Sequence, residues 1–158
     1  MKVKDVMTSD VKSCHPEASL AAVATMMLEH DIGALPVINE AGKVLGMITD
    51  RDIAIAAATQ GHPATEIPVQ DVISGRLYPC HPNDNVHTAL KVMRHEKIHR
   101  LPVVNEDGIL QGILSMNDVV NRAEESRGKR EPKLSYEDAI NTLKAICEHR
   151  PVKAAAHA

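Results

Sequence analysis

The chain has 158 residues, 44% of them hydrophobic, which is the size and composition of one globular domain. It has no Phe or Trp and two Tyr, so its core must consist of Val, Ile, Leu, Met and Ala. Few aromatic side chains are therefore available for a nucleotide base to stack on. The net charge is −3, and residues 1–121 carry 10 Lys and Arg against 15 Asp and Glu, a balance that argues against a nucleic-acid partner.

Membrane insertion and secretion find no support in the sequence. No apolar run approaches the length of a membrane span, and the first residues lack the apolar stretch of a signal peptide. Three cysteines are too few, and odd in number, for a disulfide framework. We therefore expect a cytoplasmic protein without a membrane partner.

The sequence repeats itself, because residues 3–54 return as residues 69–120 at a constant offset of 66. About sixteen of about fifty aligned positions are identical, including a Cys-His-Pro at 14–16 and 80–82. Two copies are too few for a solenoid, and a unit of about fifty residues would be only marginally stable on its own. The repeat predicts two halves that share one core about a pseudo-two-fold axis, with paired clefts between them.

Each copy predicts the order strand–helix–strand–strand–helix. A short apolar run at 11–14, and again at 77–80, indicates a strand that ends at His-Pro. Helical spacing of apolar residues follows over roughly 18–30 and again from Val86. The next segments, 35–39 with 43–49 and 101–105 with 109–115, flank short turns with Gly and predict hairpins. A second helix follows from about Asp50 and from about Asn117.

The chain divides into three parts: residues 1–66 hold the first copy and a linker, 67–124 the second copy, and 125–158 a helical extension and tail. Ser135, with Asp138 three residues on, predicts a helix start. Its apolar stripe consists of Ala139, Ile140, Leu143, Ile146 and Cys147. We expect this helix to bury the stripe on the body or on a partner subunit, and residues 151–158 to fray.

Two heptapeptides, 46–52 and 112–118, read Gly-apolar-apolar-Thr/Ser-x-x-Asp at a strand-to-helix junction. A structural interpretation is a helix capping box, in which the hydroxyl and the acid satisfy free backbone groups. A functional one is a nucleotide site, because a helix N-terminus attracts phosphate and a carboxylate accepts hydrogen bonds from a ribose diol. The two do not exclude each other, so Thr49, Asp52, Ser115 and Asp118 are candidate ligand residues.

This ordered set of motifs resembles a stand-alone pair of cystathionine-β-synthase (CBS) domains, also called a Bateman module. The resemblance covers about residues 1–124 and rests on Asp-Val-Met at 5–7, Ile-Gly-Ala-Leu-Pro-Val at 32–37 and Gly-Met-Ile-Thr-Asp-Arg-Asp-Ile at 46–53, each with its partner in the second copy. It implies an α+β fold of two β-α-β-β-α motifs and regulation by adenine nucleotides. In such modules the Asp holds the ribose and the Thr or Ser approaches the phosphate.

The segment 98–103 is similar to His-Arg-Leu-Pro-Val-type segments in the γ subunit of AMP-activated protein kinase, where His and Arg contact phosphates. The resemblance implies such contacts for His99 and Arg100, with a surface salt bridge as the alternative for Arg100. The first copy has Gly33 and Ala34 at these positions and so lacks this cation, for which Arg51 is the candidate substitute. We therefore expect two unequal sites, with the tighter phosphate binding near Arg100. Tyr78 either lies against an adenine face or is an ordinary strand residue.

We expect a non-catalytic sensor of adenine nucleotides, with AMP favoured over ADP and ATP and with no obligatory cofactor or metal. The expected ligand-binding residues are Ala34, Pro36, Thr49, Arg51, Asp52, Tyr78, His99, Arg100, Pro102, Ser115 and Asp118. The signal would pass through a homodimer or to an unidentified effector protein, with the C-terminal helix as the relay. S-adenosylmethionine or NAD(H) are alternative ligands.

Two other classes of protein remain open. One is a scaffold whose heptapeptides are only helix caps. The other is a metal- or redox-responsive protein that uses Cys14 and Cys80. Against a zinc site, adjacent Cys and His residues on a strand point to opposite faces, so a buried Cys beside a turn-forming His-Pro is the structural interpretation.

Overall fold

The computed structural model describes residues 1–126 and 132–148 and contains two similar α+β halves. The first half has helix α1 (Leu20–His30), strands β1 (Ala34–Ile38) and β2 (Val44–Thr49), and helix α2 (Asp50–Thr59). The second has α3 (Val86–Glu96), β3 (Arg100–Val104), β4 (Leu110–Ser115) and α4 (Met116–Arg122), followed by α5 (Tyr136–Cys147). The predicted α+β class and C-terminal helix are confirmed; the expected fraying of 151–158 lies outside the described residues.

The first strand predicted for each half is shortened to a single bridge. Cys14 pairs in parallel with Val37, and Cys80 pairs with Val103 in the same way. The amide of Cys14 donates to the carbonyl of Pro36 at 3.0 Å. The ladder stops there because Pro16, the next residue on the same face, has no N–H to donate.

Capping residues set where the helices begin. Helix α1 begins at Leu20, slightly later than predicted, because the Ser19 side chain accepts a hydrogen bond from the amide of Ala22. Helix α4 begins at Met116, one residue earlier than predicted, because Ser115 is its N-cap. Of the part of the chain that the structure describes, no helix is both long and apolar enough to cross a bilayer.

The two hairpins meet on the pseudo-two-fold axis. Their turns contain Gly42 and Gly108, whose positive φ angles of 78° and 82° favour glycine. An isolated bridge joins Lys43 to Ile109, which occupy the same position in the two copies. A residue paired with its own counterpart lies on the symmetry axis, so the predicted pseudo-two-fold arrangement is confirmed.

The halves exchange their leading segments. Val3 and Val6 belong to the core of the second half, whereas Ile67 and Val69 belong to the core of the first. The exchange is symmetric in the backbone: the amide of Val3 donates to the carbonyl of residue 84, and the amide of Val69 donates to that of residue 18, both at 2.9 Å. Each core therefore needs residues from both sequence repeats.

Helix α5 packs mainly on α3 and also on α4. Ala139 and Ile146 are buried on the body and Leu143 is half-buried, as predicted, whereas Ile140 is 55% exposed and Cys147 is exposed, so their burial on a partner subunit stays a prediction. These two residues flank the contact stripe. The fully buried residue in the stripe is instead Thr142, whose hydroxyl accepts a hydrogen bond of 3.0 Å from Arg94 of α3 and donates one to the carbonyl of residue 138.

Replacing Val3 by Ala should lower the free energy of unfolding by about 1–3 kcal/mol, because two methyl groups are lost from a fully buried site. Val69→Ala, at the equivalent site, should cost a similar amount. Val120→Ala, at a side chain that is 47% exposed, is the matched control. Urea denaturation measures all three, and a loss below about 0.5 kcal/mol for Val3→Ala would contradict the exchange of segments.

The docking of α5 should weaken in acid. Burial raises the pKa of Asp138, but hydrogen bonds from the Ser135 amide and hydroxyl, with the charges of His87 and Arg94, outweigh it and hold this pKa below its ordinary value of 3.8. A carboxyl with a lowered pKa in the folded state stabilises the fold above its ordinary pKa and loses that contribution as the pH falls through the folded-state pKa.

Asp138→Asn should therefore lower the free energy of unfolding at neutral pH by about 0.5–2 kcal/mol, the usual value of a helix cap. Between about pH 5 and pH 2 the variant should lose less stability than the parent does. Denaturation midpoints across this pH range measure the difference. Glu137→Gln, a neighbouring exposed carboxyl without this cap, should follow the parent curve. Identical slopes for Asp138→Asn and the parent would contradict the assignment.

Candidate functional site

One cleft between the halves collects residues from both copies. It has a volume of about 410 Å³, which falls in the usual range for small-molecule sites. The first copy supplies Thr8, the segments 10–12 and 30–34, and the second supplies Arg100, Ile113, Ser115, Asn117 and Asp118. Of the residues predicted from the sequence, the structure brings Ala34, Arg100, Ser115 and Asp118 together here.

The heptapeptide of the second copy ends in a complete capping box. The amide of Asp118 donates to the Ser115 hydroxyl oxygen at 3.2 Å. In return, the amide and the hydroxyl of Ser115 donate to Oδ2 of Asp118 at 2.7 and 2.5 Å. These bonds hold the carboxylate at the start of α4, at the edge of the cleft.

The capping box alone does not identify a ligand site. Thr49 with Asp52 forms the same box at α2, and Ser135 with Asp138 forms it at α5. The structural interpretation is thus correct in all three places. What distinguishes Ser115 and Asp118 is that both also line the cleft.

Arg100 brings a cation to the same cleft. It lies directly opposite Ser115 in the β3–β4 pairing, so their Cβ atoms are near neighbours. Its guanidinium extends towards Gly33 of the first copy, with Nη2 3.8 Å from the place where a Cβ of residue 33 would lie. Oδ2 of Asp50 is 2.9 Å from that same point, so a side chain at position 33 would displace the Asp50 carboxylate.

The lining of the cleft combines apolar and charged groups. Val11, Ile32 and Ile113 supply apolar surface, on which a planar ring could rest. Lys12 and Arg100 supply positive charge, and the carboxylates are those of residues 10, 31 and 118. Such a site can bind an organic ligand that has an apolar ring, hydroxyl groups and an anionic group.

The pseudo-equivalent residues of the first heptapeptide do not line this cleft. Thr49 and Asp52 lie at the start of α2, where Oδ2 of Asp52 accepts hydrogen bonds from the Thr49 amide at 2.9 Å and hydroxyl at 2.6 Å. Arg51 beside them is exposed, and its amide donates to Asp50. These residues therefore do not contribute to the cleft that contains Asp118.

The remaining predicted residues lie elsewhere. Pro36 and Pro102 are buried in β1 and β3, and their carbonyls accept hydrogen bonds from Cys14 and Cys80. Tyr78 packs against the core of the second half. The side chain of His99 is exposed, and its carbonyl accepts a hydrogen bond from the first residue of α4.

Several lining residues were missed by sequence reasoning. The sequence carries no prediction for Thr8 and Asp10, it predicts Val11 and Lys12 only as the start of a strand, and it predicts residues 30–31 only as the end of a helix. Thr8 and the residues that follow it reach the cleft because residues 1–7 are anchored on the second half. Asn117 is the exception, since it lies inside the second heptapeptide and could have been found from its position.

The two duplicated cysteines are buried thiols. Burial raises the pKa of Cys14 to about 11. Burial together with the charge of Asp84 raises the pKa of Cys80 to about 12. Within residues 1–126 and 132–148, no group of three or more His, Cys, Asp or Glu side chains could hold a metal ion.

Comparison with known proteins identifies the family. The CBS domain matches twice, over residues 3–59 and 69–125. The chain belongs to the CBS domain family. It contains a tandem CBS pair, and it is similar to CBS domain-containing protein YhcV of Bacillus subtilis, with 36% identity over 138 residues that cover 86% of this chain and 96% of that protein.

Solved structures of CBS pairs share the fold. The CBS domain pair of protein MJ0100, in complex with 5′-methylthioadenosine and S-adenosyl-L-methionine, is 26% identical, with a TM-score of 0.70 over 77% of this chain and 94% of that one. CBSX2 in complex with AMP is 26% identical, with a TM-score of 0.65 over 76% and 93%. Hypoxic Response Protein I, with two coordinated zinc ions, is 30% identical, with a TM-score of 0.69 over 77% and 98%.

The rate of alkylation should distinguish the exposed cysteine of this CBS pair from its two buried ones. At pH 8 a thiol with a pKa of about 11 is ionised in about one molecule in a thousand, and only the thiolate reacts. Iodoacetamide should therefore modify the exposed Cys147 at least about 100-fold faster than the buried Cys14 and Cys80. Peptide mass spectrometry over time measures the rates, and equal rates would return the redox interpretation to consideration.

Proposed function

We propose that this CBS pair is a non-catalytic regulatory module that senses adenine nucleotides, with AMP favoured over ADP and ATP. The cleft that contains Arg100, Ser115 and Asp118 is the proposed site. Occupancy would be relayed through a homodimer or to an effector protein. A ligand transmits a signal only if it binds one arrangement of the halves or of the dimer better than another.

One observation carries the proposal: Asp118 and Arg100 come from separate motifs but line one cleft, next to apolar surface. In the proposed complex the adenine rests on Val11 and Ile113, the ribose meets the carboxylate of Asp118, and the phosphate meets Arg100. An Arg guanidinium is suited to bidentate phosphate binding. The complex of CBSX2 with AMP supports the choice of ligand.

A second candidate is an adenosyl ligand without a phosphate, such as S-adenosylmethionine. Asp10 and Asp31 line the same cleft, and the carboxylate of Asp50 approaches Gly33, as the guanidinium of Arg100 does. These groups suit a cationic sulfonium better than a second anion. The ligands of the MJ0100 pair support this candidate.

A thermal-shift panel of AMP, ADP, ATP, NADH and S-adenosylmethionine should distinguish the candidates. A ligand at about 100 times its Kd adds roughly 2.7 kcal/mol, which should raise Tm by about 5–10 °C for a domain of this size. Asp118→Ala should weaken binding in this cleft by about 10- to 150-fold, because hydrogen bonds to a charged group are lost. Calorimetry in an Asp52→Asn background isolates this cleft from its counterpart.

Asp138→Ala is the matched control, because it removes the same type of capping box from a helix that does not line the cleft. It should leave ligand affinity within about threefold of the parent. Arg100→Ala should weaken AMP binding much more than adenosine binding. A lack of response to every ligand in the panel would reject the assignment and favour the scaffold alternative. Equal losses of AMP and adenosine binding in Arg100→Ala would reject the phosphate role of Arg100.

A further inference from the structure

The pseudo-two-fold symmetry is broken at one backbone contact beside the cleft. The bridge between Lys2 and Asn85 has its exact counterpart between residues 68 and 19, at the offset of 66. The amides of Thr8 and Ile113 donate to each other's carbonyls at 2.9 Å, forming a further bridge. The described residues contain no corresponding bridge between residues 74 and 47.

Gly112 permits this close approach. A Cβ at position 112 would lie 2.6 Å from the carbonyl oxygen of Thr8, a distance that no side chain can adopt. The approach places the Thr8 hydroxyl beside the carboxylate of Asp118, and this hydroxyl donates a hydrogen bond to Oδ1 of Asp118 at 2.9 Å. Thr8 also lines the cleft itself.

The hydrogen bonds leave Asp118 with little capacity for a diol. A carboxylate has about four acceptor positions, two on each oxygen. On Asp118, Oδ2 accepts two hydrogen bonds from Ser115 and Oδ1 accepts one from Thr8, so one position remains. A ribose diol donates two hydrogen bonds and therefore needs a position that Thr8 or Ser115 now occupies.

Asp52 provides the internal comparison. Its Oδ2 accepts two hydrogen bonds from Thr49, as the box requires. Among the described residues none is seen to donate to its Oδ1, and Ser74, the counterpart of Thr8, makes no such contact. The capping box alone thus suffices to hold a carboxylate of this kind, and the Thr8 bond is an addition that Asp118 has and Asp52 lacks.

We propose that the Thr8 hydroxyl competes with the ribose of the ligand for Oδ1 of Asp118. This inference rests on the proposed function of the cleft. While Thr8 is bound, Asp118 can accept only one ribose hydroxyl. Thr8 therefore lowers the affinity of the cleft for ribose ligands and reduces its discrimination against ligands that lack the 2′ and 3′ hydroxyls.

The test is calorimetric titration of the full chain with AMP and with 2′,3′-dideoxy-AMP, in an Asp52→Asn background. Thr8→Val should raise AMP affinity about 3- to 10-fold, the value of one hydrogen bond, and leave dideoxy-AMP affinity unchanged. Thr8→Ser, which keeps the hydroxyl, should behave like the parent. The matched control, Ser74→Ala in an Asp118→Asn background, should leave AMP affinity unchanged.

Several results would overturn the proposal. Unchanged or weaker AMP binding by Thr8→Val would show that the hydroxyl does not compete with ribose, and an equal gain for both ligands would show an effect unrelated to the diol. Thr8→Ala is a second variant should Val not be accommodated. If the parent binds no AMP, the proposed function and the competition both fail; AMP binding without the gain rejects the competition alone.

Discussion

The exchange of leading segments is the constraint on which the rest of the structure depends. Val3 is fully buried in the core of the second half and Val69 in that of the first, so neither half has a complete core from its own repeat. The exchange also positions the cleft. Because residues 1–7 are anchored on the second half, the residues that follow must pass beside β4, and this brings Thr8 and Lys12 to the same cleft as Asp118.

Helix capping and ligand binding draw on the same atoms in this fold. Ser115 and Asp118 satisfy the free backbone groups of a short helix, and in doing so they hold a carboxylate rigidly at the edge of the cleft. The identical arrangement at Ser135 and Asp138 stabilises α5 without facing this cleft. A capping box therefore supplies a preorganised carboxylate, and its surroundings decide whether that carboxylate can meet a ligand.

The sequence could predict whatever follows from the repeat. A constant offset of 66 predicted the pseudo-two-fold axis and the correspondence of the two heptapeptides, and the Gly-containing turns predicted both hairpins. The register of β3 with β4 then places Arg100 opposite Ser115. The sequence could not predict contacts that depend on the route of the chain. Thr8 and Asp118 are 110 residues apart, and no local pattern links them. Nor could it predict that Ile140 is 55% exposed on the body, since apolar spacing gives a stripe but not its width.

The exchanged segments also have a consequence for folding during synthesis. The amide of Val3 bonds to a carbonyl 81 residues later in the chain, and the amide of residue 86 bonds back to the carbonyl of Met1. Residues 1–3 therefore cannot form these bonds until α3 has been synthesised, whereas the first half can close as soon as Val69 emerges from the ribosome. Contacts so distant in sequence slow folding. The growing chain consequently passes through a stage in which its first half is closed and residues 1–7 are still without their partner.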